Sequence, residues 1–401
     1  MVTVVVGIQL AISLGYFAVM AHLVSHLRHD LGMLAGTIAV VLGVRVALQY
    51  MLFLPVGAIT DAIGPARAGA LACALRAVGF TLLGTTDGIG ELLCAAVVLA
   101  VGGALFHPAA QSLLAGVRPA RRSRGFAAYV IAGQLGAVAG PPIGLLLLNG
   151  GFGLLAAVTA CAWAVSAMLF LLLRPRHGFL SSRHGAVTRA GLDVRGLTEG
   201  VSLALRDRRF LRFALTVAPS TLLADQIVTV VPLKEVGAGA TTLFFCVVAM
   251  AAAAIQPWCA ADGRGERPWV LRSGLLCAGA GYLTLLAVPP GGDQIIVLSA
   301  AAVLHGMAAG LTQSAMFQII TRCAPSQRFG SYFGLLSFLA GAVALAGGFA
   351  AGRLLDAGPR GATLVLVGLT LIATIFAAAL RVPRPRPRET APTYELARPG
   401  S

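Results

Sequence analysis

A few ionisable side chains stand inside long apolar runs of the sequence, where a charge is costly. The charged ones are Asp225, Arg45 and Arg76, and two histidines, His107 and His305, have similar surroundings. Placing a charge at the middle of a bilayer costs roughly 2.5 to 3.5 kcal/mol on insertion scales. Their presence in apolar runs therefore marks these residues as candidates for function.

Asp225 is the first candidate for carrying a proton, because a carboxyl group removed from water binds a proton more readily than one in water. Two plainer readings of Asp225 stay open: an acid at the outer mouth of a cavity, or an acid held by a structural cation such as Arg45. His107 and His305 have side chains that titrate near neutral pH. A single histidine that faces a polar cavity is more often a hydrogen-bonding residue, so a proton relay is the alternative reading for both.

Other polar and aromatic side chains in these runs are candidates for contact with a solute. Arg45 precedes Gln49 by one helical turn, so both would share a helix face, where the arginine is either structural or meets an anionic group of the substrate. Arg76 is expected to be a structural partner of the same helix. Further candidates for lining a cavity are Phe106, Gln134, the adjacent pair Thr312 and Gln313, and the aromatics Phe17, Trp163, Phe213 and Phe317, which suit amphipathic or apolar solutes.

The overall composition is that of an integral membrane protein. The 401 residues are 58% hydrophobic and 11% charged, with mean hydropathy +0.86, which lies outside the range of soluble globular proteins. The formal net charge of +15 could suggest nucleic acid, but that function requires a basic surface on a water-soluble fold. The seven cysteines form no CxxC pair and are interpreted as packing residues.

Apolar runs of roughly 20 residues, long enough to cross about 30 Å of hydrocarbon as helices, recur along the chain. The first run has no basic segment before it and no cleavage site after it, so it predicts a spanning helix and not a signal peptide. We predict spans 1 to 12 at residues 2–24, 33–59, 66–86, 90–114, 125–148, 152–173, 210–232, 239–259, 268–288, 293–318, 329–351 and 361–380.

The arginines of the turns predict how the chain is oriented in the membrane. The turns after the even-numbered spans, together with the C-terminal tail, hold 24 of the 30 basic residues, whereas the turns on the other side hold four. Basic residues are concentrated in cytoplasmic turns of membrane proteins. Both termini are therefore expected in the cytoplasm.

An internal repeat indicates that the spans form two similar halves. A shift of 201 residues superposes Asp61 and Gly64 on Asp262 and Gly265, and a shift of 205 residues superposes a Gly-Ala-Val-Ala run of span 5 on one of span 11. We predict an all-α integral membrane protein whose twelve transmembrane helices form two six-helix pseudo-repeats around a central cavity. Its parts are an N-terminal half (1–173), a cytoplasmic linker (174–209), a C-terminal half (210–381) and a disordered cytoplasmic tail (382–401).

Two motifs carry a resemblance to a known family. The predicted turn at residues 55–67 follows the pattern glycine, three residues, aspartate, two residues, glycine and then a basic residue, filled by Gly57, Asp61, Gly64 and Arg67. This pattern resembles the signature loop of the major facilitator superfamily, although the two positions before Arg67 are not basic as is usual. The resemblance implies that Asp61 is a conformational latch that faces the start of span 11 near Arg328 and Gly330, where a carboxylate interacts favourably with a helix N-terminus.

The second motif lies in span 5 and is similar to the GxxxGPxxG pattern of the antiporter branch of that superfamily. It is filled by Gly136, Gly140, Pro141 and Gly144. Glycines four residues apart make a flat helix face for close packing, and the proline permits a bend. An ordinary packing face is the alternative interpretation. Span 4 departs from the family pattern, since residues 97–103 contain no arginine.

The resemblance implies a secondary transporter that works by alternating access in a bacterial inner membrane, as a monomer, on a small-molecule substrate. We expect efflux of an amphipathic, drug-like molecule in exchange for protons, with no cofactor other than the proton gradient. An uncoupled facilitator or importer of a solute such as a sugar is the alternative, and a membrane solute sensor is a third possibility from another class. The chain has no HExxH, GxSxG or GxxxxGK[ST] motif, so an enzyme is not expected.

Overall fold

The computed structural model describes residues 1–86, 88–173, 194–232, 238–288, 295–325 and 327–383. Within these residues, twelve helical spans are long and apolar enough to cross a membrane, which confirms the predicted number. Spans 1 to 12 are Val2–Asp30, Gly36–Ile63, Pro65–Thr85, Ile89–Ala115, Arg121–Gly150, Phe152–Leu172, Arg208–Val230, Gly239–Ala260, Pro268–Leu286, Ile295–Cys323, Phe329–Leu355 and Pro359–Ala379.

Several spans are longer than the apolar pattern predicted, because a helix continues through polar residues and ends only where the backbone changes conformation. Span 2 is helical as far as Ile63, and the chain then reverses at Gly64, whose φ of 88° is unfavourable for other residues. Pro65 begins span 3, a position where its missing N–H costs nothing. The prediction of a turn over residues 55–67 was therefore wrong: most of that segment is helix, and Gly64 alone makes the turn.

Prolines divide two spans of the C-terminal half. Span 7 consists of the helices Arg208–Val217 and Pro219–Val230, and span 8 has a short second helix, Gln256–Ala260, that contains Pro257. A proline has no amide hydrogen to donate to the preceding turn, so the helix bends or restarts there. The predicted linker also contains a helix, Val194–Arg206. Residues 174–193 of that linker and residues 384–401 of the predicted tail lie outside the described residues.

The end of the bundle that carries Arg67, Arg118, Arg264 and Arg328 is called the basic end below. Spans 2 and 11, one from each half, cross near this end with almost no side chain between them. A methyl group added to Gly57 would overlap the carbonyl oxygen of Gly330, and one added to Gly334 would overlap that of Phe53. The two halves therefore touch backbone to backbone at the basic end.

Candidate functional site

A cavity of about 330 Å³ lies between the two halves. Its walls come from spans 2, 4, 7, 10 and 11, so both halves contribute to it. The polar lining residues are Gln49, Tyr50, His107, Gln111, Thr221, Gln313 and Ser337, and the apolar ones are Phe53, Met316, Phe317, Phe333, Leu336 and Ala340. A mixed lining of this kind suits a solute with both polar and apolar parts.

Aromatic rings close the cavity on the side of the basic end. The ring of Phe317 lies 5.1 Å from that of Phe126, 6.3 Å from that of Tyr129 and 6.0 Å from that of Phe333. Phe126 and Tyr129 belong to span 5, whereas Phe317 and Phe333 belong to spans 10 and 11. These rings therefore join the two halves beneath the cavity.

A latch of three hydrogen bonds holds the halves together at the basic end. One oxygen of Asp61 accepts a hydrogen bond from the backbone N–H of Gly330 at 2.7 Å. The other oxygen accepts from the backbone N–H of Ser331 at 2.8 Å and from its hydroxyl group at 2.6 Å. The two amides lie in the first turn of span 11, where backbone N–H groups have no acceptor within the helix. The N-terminus of a helix is therefore a favourable place for a carboxylate. Of the other signature residues, Gly57 lies at the close crossing with span 11, and Gly64 forms the turn between spans 2 and 3. Arg67 is exposed.

Asp225 is not part of the cavity lining: it lies one helical turn beyond the lining residue Thr221, further from the basic end, and its side chain is exposed. It accepts a hydrogen bond of 3.3 Å from the hydroxyl group of Tyr50, which belongs to the opposite half. The ring of Tyr50 fills the space over Gly341, where a methyl group would overlap it. The partner of Asp225 among the described residues is thus Tyr50 and not Arg45, so the reading of an acid held by Arg45 was wrong.

Arg76 is buried inside the N-terminal half, with only 4% of its surface exposed. Its guanidinium group lies 5.2 Å from the ring of Tyr16 and 5.3 Å from that of Trp163, and it donates a 3.4 Å hydrogen bond to the side-chain oxygen of Gln49. This bond joins span 3 to span 2. The guanidinium group passes over Gly103 of span 4, where any larger residue would overlap it. An arginine from span 3 thus reaches span 4, whose residues 97–103 contain no arginine.

The two embedded histidines differ in position. His107 lines the central cavity and packs between Phe106 and Phe53, with ring distances of 5.6 and 6.3 Å. His305 is buried within the C-terminal half, edge-on to Tyr282 at 4.6 Å, and lines a separate cavity of about 40 Å³. His305 does not line the central cavity, because its face of span 10 packs against span 9.

The remaining cavity candidates also divide. Gln49 and Gln313 line the central cavity, whereas Thr312, the neighbour of Gln313, lines the smaller one. Phe106 is 2% exposed and packs against Trp163 inside the N-terminal half. The prediction that Phe106 lines the cavity was therefore wrong. Gln134 and Arg45 are half-buried and are not part of the lining. Of the aromatics Phe17, Trp163, Phe213 and Phe317, the cavity is lined by Phe317.

The glycines of the span 5 motif pack against span 1 within the N-terminal half. A methyl group on Gly136 would overlap Ser13, and one on Gly140 or Gly144 would come within 2.8 Å of a carbonyl oxygen of span 1. The carbonyl oxygen of Pro141 lies 3.1 Å from a ring nitrogen of His22. The motif therefore fixes span 5 to span 1 through close backbone contact, which is the packing that the glycine spacing favours.

Two residues that sequence reasoning did not select, Tyr50 and Ser331, make contacts between the halves. Tyr50 directly follows Gln49 in an apolar run, so a lone phenol group there was a usable signal. Ser331 follows the expected receiver Gly330 and provides two of the three hydrogen bonds to Asp61. The contact of Tyr50 with Asp225 could not be assigned without the packing of helices that are distant in sequence, whereas the resemblance had already placed Asp61 at the start of span 11.

Comparisons with known proteins agree with this architecture. The family model described as Major Facilitator Superfamily matches residues 5–261 and 233–399. An uncharacterized MFS-type transporter of Mycobacterium tuberculosis is 26% identical over an alignment of 391 residues that covers 93% of this chain and 90% of that protein. The multidrug resistance protein MdtH of Cronobacter sakazakii is 30% identical over 225 residues, which are 56% of this chain and 53% of MdtH.

Solved structures share the fold at low sequence identity. The crystal structure of the human organic anion transporter MFSD10 (TETRAN) has a TM-score of 0.73 at 18% identity, covering 95% of this chain and 98% of its own. A POT family transporter in complex with 5-aminolevulinic acid has a TM-score of 0.66 at 16% identity, covering 94% of each chain. The family consists of transporters, which confirms the prediction that this chain is not an enzyme. It is a multi-pass membrane protein that belongs to the major facilitator superfamily.

Proposed function

We propose that the chain exports a small amphipathic, drug-like molecule from the bacterial cytoplasm, in exchange for protons, by rocking of its two halves around the central cavity. The observation that carries this proposal is the position of Asp225. Its exposed carboxyl group lies within span 7, one turn beyond the lining residue Thr221 in the direction away from the basic end, and accepts a hydrogen bond from Tyr50 of the other half. A hydrogen bond to a carboxylate is stronger than one to a neutral acid, so proton binding would weaken a contact between the halves.

The state of the cavity supports alternating access. Asp61 and the glycine crossing close the basic end, while Asp225 is exposed on the other side. A ligand or a proton shifts such an equilibrium by the difference in its affinity for the two states. The likeness to MdtH, a multidrug resistance protein, over about half of each chain supports export of a drug-like molecule.

We expect Asp225→Asn to reduce proton-linked transport at least tenfold. Everted membrane vesicles that contain the wild type should release protons when a transported drug is added, and a panel of lipophilic drugs, sugars and amino acids identifies the ligand class. Asparagine keeps the size of the side chain but cannot bind and release a proton. The fluorescence of an internal pH indicator measures the proton movement.

Asp356→Asn is the matched control for that experiment, because Asp356 is an exposed acid at the end of span 11, away from the cavity. It should leave the proton signal unchanged. Tyr50→Phe keeps the ring over Gly341 and removes only the hydrogen bond, so its effect should be intermediate. If labelled substrate moves down its own gradient with no proton signal in either the wild type or Asp225→Asn, the antiporter proposal fails and an uncoupled facilitator replaces it.

We propose that the basic end faces the cytoplasm and that both termini lie there, in a bacterial inner membrane. The concentration of arginines in the turns at that end supports this orientation. A protease added outside everted vesicles should remove a tag placed after Ser401, whereas the same protease added to spheroplasts should not. A cleavage site inserted after Gly358, in the turn between spans 11 and 12, should give the reverse pattern. Cleavage at both sites from the same side would contradict the proposed topology.

A further inference from the structure

Two arginines of the N-terminal half lie next to the central cavity without a carboxylate partner among the described residues. Arg45 and Arg76 both approach the ring of Tyr16, at 5.9 and 5.2 Å from its centre. The Nε atom of each is buried and has no hydrogen-bond partner in the described part of the chain. Two ion pairs of the described residues, His26 with Asp30 and Arg322 with Glu266, lie outside this region.

Aromatic rings and an amide compensate this positive charge only in part. The faces of Tyr16 and Trp163 attract a guanidinium group, and the side-chain oxygen of Gln49 accepts one hydrogen bond from Arg76. A cation inside a membrane protein is normally paired with an acid or with backbone carbonyl groups. The carboxylate of Asp225 accepts a hydrogen bond from Tyr50 and not from either arginine. The arginines therefore keep unused capacity to bind an anion.

This polar cluster borders the cavity through Gln49. Gln49 lines the cavity and is in direct contact with Arg76. Arg45 precedes Gln49 by one turn on the same face of span 2, in the direction away from the closed basic end, and is half-buried. The aromatic side chains Phe53, Phe317 and Phe333 belong to the part of the cavity lining that lies nearer the basic end. A solute in the cavity would thus have cations at one end and aromatic rings at the other.

We propose that Arg45 and Arg76, together with Gln49, bind the anionic group of an amphipathic aromatic carboxylate or sulfonate whose ring lies against the aromatic residues of the cavity. Arginine suits this role because its planar guanidinium group offers two parallel donors to a carboxylate and stays charged in apolar surroundings. This inference rests on the proposed function, since it names the class of solute that the same cavity carries.

The test uses three probes with the same ring system and different charge: 2-naphthoate, 2-naphthamide and the (2-naphthylmethyl)trimethylammonium ion. Binding of each to the purified full-length protein is measured by equilibrium dialysis. The wild type should bind naphthoate at least tenfold more tightly than the amide or the cation. Arg45→Gln should weaken naphthoate binding to the level of the amide and leave amide binding unchanged, while Arg45→Lys should restore part of the preference.

Arg45 is the residue to change, because Arg76 is packed between several side chains and its replacement could prevent folding. Arg353→Gln is the matched control: Arg353 is exposed at the far end of span 11, over Phe349, and its loss should not alter the preference for naphthoate. A wild type that binds the amide or the cation as tightly as naphthoate would overturn the proposal, as would an Arg45→Gln variant that keeps the preference.

The proton measurement separates this inference from the proposed function. If Arg45→Gln abolishes the preference for naphthoate while vesicles show no proton movement, the anion site stands and proton coupling fails. If a neutral or cationic drug drives proton release while naphthoate is not preferred, proton coupling stands and the anion site fails.

Discussion

Replacing Asp61 with asparagine should open the basic end of the bundle and reduce transport about a hundredfold. The carboxylate accepts three hydrogen bonds from Gly330 and Ser331, between 2.6 and 2.8 Å. Hydrogen bonds to a charged group contribute roughly 1.5 to 3 kcal/mol each. An asparagine offers one acceptor oxygen and turns an NH₂ group toward N–H donors, so a loss of about 3 kcal/mol from the closed state is expected.

The opening can be measured as a distance between the halves. Spin labels at positions 67 and 327, both exposed at the basic end, should give one short distance in the wild type and an added longer distance in Asp61→Asn, on a background without the native cysteines. Ser331→Ala removes one of the three hydrogen bonds and keeps both amide donors, so it should have a smaller effect. An unchanged distance distribution in Asp61→Asn would show that Asp61 does not hold the halves together.

Gly57→Ala should also prevent the halves from closing, although it adds a single methyl group. That methyl group would overlap the carbonyl oxygen of Gly330 and lie 3.1 Å from the Cα atom of Gly334. The obstacle is backbone, which cannot move aside as a flexible side chain can. Overpacking of a tight contact costs typically 1 to 3 kcal/mol, so we expect a loss of transport between roughly fivefold and a hundredfold, with the same added long distance between the spin labels.

Gly43→Ala is the control for the glycine experiment. Gly43 lies in the same helix, and a methyl group added there meets nothing within 4 Å. Both substitutions raise helix propensity equally, by about 1 kcal/mol, so any difference between them comes from the crossing with span 11. Equal transport rates in the two variants would contradict this prediction, because they would mean that the close contact between Gly57 and Gly330 does not form during transport.

The sequence predicted the spans well because the signal for them is long and simple. Each apolar run is about as long as the bilayer is thick, and glycine or proline marks several of the ends, as at Gly64 and Pro65. The helical state of residues 60–63, beyond the predicted end of span 2, was missed, because polar residues at the end of a span favour a turn in a hydropathy pattern but do not stop a helix. A helix stops at a residue that cannot continue it.

The contacts between the halves were much harder to predict. Tyr50 and Asp225 are 175 residues apart and meet only once spans 2 and 7 are packed side by side. The rotation of a membrane helix about its axis is also hidden when the helix is apolar on every face, and the sequence therefore did not show which neighbour His305 faces. By contrast, the resemblance implied where Asp61 lies, and helix chemistry explains the contact, since a carboxylate is favourable beside the amide groups at a helix N-terminus.

The glycine crossing at the basic end also determines how much entropy is lost on closing. A contact made by long side chains would freeze their rotamers each time the halves meet, at a cost of up to about 2 kcal/mol for each side chain. Gly57, Gly330 and Gly334 have no side-chain rotamers to lose. The glycine crossing itself therefore adds almost no side-chain ordering cost to closing, which leaves more of the energy of the Asp61 hydrogen bonds to hold a state that has to be released again in every turnover.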